Sequence, residues 1–171
     1  ATLMLGKAAS ESALRALDLS DYGVILFATH GLVSGQMEGV TEPALVLSPP
    51  TPGATGEDGL LTASEVAAMR IGADWVILSA CNTAAGDSSQ APAYSGLAQA
   101  FRYAGAGSLL VSHWPVRDDA SAFVTLETVK GAERGLPRAV ALQRAMLKLM
   151  RSNRPGAAQP YIWAPFILVG R

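Results

Sequence analysis

Val24-Ile25-Leu26-Phe27-Ala28-Thr29-His30-Gly31 and Trp75-Val76-Ile77-Leu78-Ser79-Ala80-Cys81-Asn82 are the two stretches on which the reading of this chain turns. Each opens on four apolar residues without polar alternation. Such a run fits a strand of a parallel sheet covered on both faces, where neither side of the strand meets water. Strands are therefore expected over Tyr22–Thr29 and Trp75–Ala80, with a third buried strand over Ser108–Ser112. Shorter candidates are Thr2–Leu5, Ala44–Ser48 and Phe166–Val169, the last with Pro165 at its start, where a missing N–H is tolerated.

Helical patterns lie between these strands. Ser10 can cap a helix over Glu11–Leu17, with Leu14 and Leu17 on one face. Thr62 and Glu65 make a capping box that opens a helix reaching Met69, which Gly72 can close. Leu97, Ala100, Phe101 and Ala104 recur at helical spacing, and Gly105 ends that helix. Asp118–Lys130 reads as a helix with acidic residues in its first turn. Pro137 suits the first turn of another, whose core face is expected to be Ala139, Leu142, Met146 and Leu149. Ser48–Gly59, Gly86–Ala93 and Asn153–Pro160 read as loops. Strands alternating with helices predict one α/β domain, a three-layer α/β/α sandwich with a mostly parallel sheet.

The 171 residues suffice for a sizeable core. Half are hydrophobic and 16% are charged, a globular composition. The formal net charge of −1 gives bulk electrostatic support to neither a nucleic-acid nor a membrane partner. No apolar run reaches about 18 residues, so no membrane span is expected, and no signal peptide is read at the N-terminus. The single cysteine excludes an internal disulfide and points to a reducing, cytoplasmic setting.

Both defining strands end in unusual chemistry. In open parallel sheets, ligands bind beyond the carboxyl ends of the strands. If these two strands are neighbours, His30 and Cys81 emerge side by side there. An imidazole can take the proton of a thiol and later return it to a leaving amine, so the pair can act as a nucleophile and its general base and acid. Backbone N–H groups of Gly31 and Cys81 are the candidates for stabilising a developing oxyanion. The bland alternative is a small buried cysteine and a satisfied histidine. One cysteine and two histidines cannot close a four-ligand metal site without well-placed carboxylates, so no metal and no cofactor are expected. Gly105-Ala106-Gly107 precedes a strand and is not a phosphate loop. Asp118 and Asp119 suit a helix N-terminus, and Asp118 also follows a crevice-forming strand, which makes it a substrate-binding candidate. Asp87 is another, in the loop after Cys81.

Longer patterns carry a resemblance. Phe27-Ala28-Thr29-His30-Gly31, Asp58-Gly59-Leu60-Leu61-Thr62-Ala63-Ser64-Glu65 and Leu78-Ser79-Ala80-Cys81-Asn82-Thr83-Ala84 occur in order, followed by Gly96-Leu97-Ala98-Gln99-Ala100-Phe101 and Trp114-Pro115-Val116-Arg117-Asp118. With the terminal Trp163-Ala164-Pro165-Phe166-Ile167-Leu168-Val169-Gly170, the chain resembles the CHAT domain, a caspase-like family often fused to tetratricopeptide repeats. The resemblance implies a caspase-type sheet, a dyad at His30 and Cys81, peptidase activity on a protein or peptide substrate in some members, and a regulatory repeat region as partner. A catalytically silent interaction domain on the same fold is the alternative. The 51 positions from His30 to Cys81 also fit the caspase spacing of about 50.

The chain departs from the caspase nucleophile signature, Gln-Ala-Cys-x-Gly, in having Ser79-Ala80-Cys81-Asn82-Thr83. Metacaspase-like relatives place an aspartate where Ser79 stands and prefer basic residues before the cut. Ser79 removes that source of selectivity, so a preference that is not strictly basic is expected; a strict one would have to come from Asp87, Asp118 or Asp119. His113 is expected to serve the core or a strand end rather than catalysis. Because a caspase-type sheet has further strands before the histidine strand, the chain is also expected to be a C-terminal fragment of a longer protein.

Overall fold

Why the apolar runs become strands is visible in the computed structural model, which describes residues 1–50, 56–79 and 96–170. In chain order the strands are β1 (Val24–Phe27), β2 (Gly31–Leu32), β3 (Ala44–Val46), β4 (Leu60–Thr62), β5 (Trp75–Leu78), β6 (Ser108–Ser112) and β7 (Phe166–Gly170). The helices are α1 (Glu11–Arg15), α2 (Ala63–Ala68), α3 (Gly96–Tyr103), α4 (Asp118–Glu133), α5 (Arg138–Met150) and α6 (Pro160–Trp163). The main sheet has the order β1-β5-β6-β7. β1, β5 and β6 run parallel, and β7 returns antiparallel at the edge.

Central β5 and β6 are buried at every position. Val76, Leu78, Leu109 and Val111 join one core with Val66 of α2 and with Leu97 and Phe101 of α3. Trp75, Ile77 and Leu110 face the other way, into a second core with Val124 of α4 and Leu142 and Leu149 of α5. Two cores on opposite faces of one sheet make the mixed α/β, three-layer arrangement the alternating pattern predicts, consistent with a caspase-like sandwich. Gly107 is required where the chain enters β6, since a Cβ there would lie 2.7 Å from the carbonyl oxygen of Asp74. Among the described residues no helix is long and apolar enough to cross a membrane.

The structure corrects several local expectations. β1 is not covered on both faces: Val24 and Leu26 are 46% and 51% exposed, because the α4–α5 core contains no β1 residue. Thr2–Leu5 forms no strand. It pairs with no neighbouring strand, the Thr2 hydroxyl lies 2.9 Å from that of Tyr22, and a 3-10 turn over Gly6–Ala8 follows. Ala44–Val46 is a strand, but of a separate antiparallel sheet ordered β2-β3-β4. The core stripe of α5 is Ala141, Leu142, Ala145 and Leu149, whereas Ala139 is exposed and Met146 half-buried. The Asn153–Pro160 loop ends in one short helix, α6. The Gly86–Ala93 loop lies outside the described residues, as does the middle of the Ser48–Gly59 loop.

One buried carboxylate ties the small sheet to α1. Glu11 is 1% exposed. Its Oε1 accepts the backbone N–H groups of Gly59 at 2.9 Å and Asp58 at 3.2 Å, and its Oε2 takes the Arg15 guanidinium at 3.2 Å. Glu11→Ala strands two backbone donors at the entrance to β4. A loss of about 2–6 kcal/mol is expected, from ~1–3 kcal/mol for each of the two unsatisfied N–H groups, measurable by urea denaturation. Arg15 also reaches Glu65 Oε1 at 2.7 Å, and Glu65 closes the capping box with Thr62. Partial burial opposes the charged form of Glu65, but the Thr62 N–H and hydroxyl and Arg15 outweigh it and hold the carboxyl below its ordinary value. A depressed folded value means that this stabilisation is present at neutral pH and disappears as the pH falls through that value. Glu65→Gln should therefore reduce stability near neutrality and leave it little changed in acid.

Candidate active site

The carboxyl ends of β1 and β5 are locked side by side. Their register pairs Val24 with Trp75 through Phe27 with Leu78, an offset of 51 residues. The pairing continues one residue past β5, where the Ser79 N–H donates to the Phe27 carbonyl at 2.9 Å. Three residues past Phe27 the chain reaches His30, and β2 then begins at Gly31. His30 thus stands at the junction of the two sheets.

β3 fixes the backbone there. The Thr29 hydroxyl donates to the Val46 carbonyl, and the Val46 N–H donates to the His30 carbonyl at 2.8 Å. In an antiparallel ladder bonded and non-bonded pairs alternate. Because His30 and Val46 are bonded, the Gly31–Leu45 pair is the non-bonded one, and the Gly31 N–H turns away from β3. The His30 side chain is exposed and makes no hydrogen bond among the described residues.

A cavity of about 320 Å³ opens beyond the ends of β1, β5 and β6. His30, Ser79 and Asp118 all line it. The structure therefore brings together three of the side chains singled out from the sequence. Cys81 and Asp87 lie outside the described residues. The sequence reading overlooked Ser121, whose hydroxyl shares a 2.8 Å hydrogen bond with that of Ser79. Its position three residues after Asp118 puts both on one face of α4, which was the available clue. Thr29, Ser112, Val116 and Ala122 complete much of the wall.

Neighbouring aspartates at the start of α4 have different fates. Asp119 receives Arg117 Nε at 3.0 Å and Nη2 at 2.9 Å, and Arg154 at 3.5 Å. Desolvation opposes its charge, but Arg117, the Ala120 N–H and Arg154 together outweigh it and hold the carboxyl below its ordinary value. Asp118 has no hydrogen-bond or ion-pair partner among the described residues. His113 lies at the end of β6, where its N–H donates to the Pro165 carbonyl at 3.0 Å and its ring stacks on Trp114. It does not line the cavity.

A larger groove of about 680 Å³ runs between residues 2–6, β1 and β3. Among its described lining residues none carries a carboxylate, imidazole or cation, and Tyr22 has the one titratable side chain. Among the described residues no cluster of three or more histidine, cysteine, aspartate or glutamate side chains could hold a metal ion.

A search of curated proteins finds no match. The family model of the CHAT domain, a caspase-like family, matches residues 1–171, the whole length, and the chain belongs to that family.

Proposed function

We propose that the domain is a cysteine endopeptidase that cuts a protein substrate, with Cys81 as nucleophile and His30 as general base and acid. The observation that carries the reading is the register of β1 on β5. Its offset of 51 residues equals the sequence separation of His30 and Cys81, and the paired strands run in one direction toward both. In the proposed cycle the His30 imidazole takes the thiol proton, and the thiolate attacks the scissile carbonyl carbon. The carbonyl oxygen becomes an oxyanion, which the N–H groups of Gly31 and Cys81 stabilise. Collapse breaks the C–N bond, and the imidazolium gives its proton to the departing amine. Water, deprotonated by His30, then hydrolyses the thioester and restores the thiol. No cofactor enters these steps.

The test is alkylation of Cys81 by iodoacetamide at neutral pH, alongside cleavage of an unstructured protein such as casein. A nucleophile paired with imidazole should react faster than a free thiol and lose that advantage in His30→Ala. A rate equal to that of a free thiol, with no cleavage, would leave the silent interaction domain as the better reading.

A further inference from the structure

We infer that the cavity beyond β1, β5 and β6 receives the side chain before the scissile bond and that Asp118 selects a cationic one, lysine or arginine. The inference rests on the cysteine-peptidase reading of the same site. Ser79 alone predicts a weakly selective pocket, because it carries no charge. The structure adds a carboxylate from the other side: Asp118 reaches the cavity from the first turn of α4.

Three observations make that carboxylate a specificity element. First, it has no hydrogen-bond or ion-pair partner among the described residues, in contrast to Asp119, which is occupied by Arg117 and Arg154. Both arginines are bonded to Asp119, and Arg117 further donates to the Pro155 carbonyl at 2.9 Å; neither makes an ion pair with Asp118. Among the described lining residues no lysine or arginine stands with Asp118, so an acidic side chain entering the cavity would meet its carboxylate with neither to offset it. Second, the remaining wall suits a long basic side chain. Ala28, Val116 and Ala122 offer apolar surface to its methylenes, and the Ser79–Ser121 hydroxyl pair offers oxygen acceptors to its N–H groups. Third, about 320 Å³ lies at the low end of ligand pockets, roughly 300–1,000 Å³, the scale of one side chain. His30 lines the same cavity, so a side chain held there would keep the adjoining peptide bond beside the proposed base.

The experiment profiles the intact chain against peptides that differ only in the residue before the cut: arginine, lysine, glutamine, leucine and glutamate. Arginine and lysine should exceed glutamine in kcat/KM by ~10- to 100-fold, the range for a hydrogen bond to a charged group. Asp118→Asn should remove that advantage, bringing arginine and lysine peptides to the level of glutamine, and Asp118→Arg should turn the preference toward glutamate. Asp119→Asn should keep the basic preference. A readout without turnover uses Cys81→Ala protein titrated with arginine amide in a calorimeter, where Asp118→Asn should weaken binding ~10-fold or more. Cleavage without basic preference, or a basic preference that survives Asp118→Asn, overturns the inference and leaves the peptidase reading standing. Asp118-dependent binding of arginine amide by a protein that cleaves nothing supports the cation pocket while the peptidase reading fails. Absence of both binding and basic preference overturns the pocket.

Discussion

Cys81→Ala is expected to eliminate peptide-bond cleavage while leaving the melting temperature within a few degrees of the parent. The substitution removes one sulfur atom, so the packing loss is small, whereas the proposed chemistry has no other thiol to use. Loss of a catalytic nucleophile costs at least about 10⁴-fold in kcat, because only binding and oxyanion stabilisation remain. The measurement is turnover of a fluorogenic protein substrate, paired with a thermal melt of the same sample. Parent-like proteolysis by the alanine variant would rule out the mechanism proposed here. A collapse of the melting temperature would instead assign Cys81 a structural part.

The two histidines should separate cleanly. His30→Ala is expected to lower turnover by at least about 100-fold, the low end for removing a general base. His113→Leu should keep activity. The reason is placement: His30 lines the cavity at the end of β1, whereas His113 holds the end of β6 against Pro165 through its backbone and stacks its ring on Trp114. The backbone bond survives any side-chain change. Equal losses in the two variants would overturn the assignment of the base.

Much of this was legible in the sequence because it rests on short-range rules. The unbroken apolar runs of β5 and β6 mark central strands, and Leu97, Ala100, Phe101 and Ala104 mark the buried stripe of α3 correctly. The capping box at Thr62 and Glu65 was visible as a pair of residue types three apart. The misreadings all concern partners that local pattern does not encode. Val24 and Leu26 belong to as apolar a run as β5, yet their burial depends on how far α4 and α5 extend across the sheet. Strands β2, β3 and β4 are only two or three residues long, too short for any periodicity, and exist because they pair with one another. On α5 several faces carry apolar residues, and packing against α4, where Ala141 sits beside Gly131, selects Ala141 over Ala139. The site divides in the same way. Strand-end position identified His30 and Ser79, but local pattern does not tell Asp118, which has no partner among the described residues, from Asp119, which Arg117 holds at 2.9 Å and Arg154 at 3.5 Å.

The sheet junction at His30 has a consequence for how the molecule breathes. The main sheet is anchored by two cores, whereas β2–β4 lean on one core and on the Glu11 contacts. Segments with fewer buried contacts open more often, in cooperative blocks. Amide hydrogens of β5 and β6 should therefore exchange with solvent most slowly and those of β2 and β3 sooner. His30 belongs to both blocks: β1 sets where it starts, and Val46 sets how it is turned. Each opening of the small sheet releases the His30 backbone from Val46 while β1 stays paired with β5, so how long His30 keeps its place at the cavity is governed by the weaker of the two sheets.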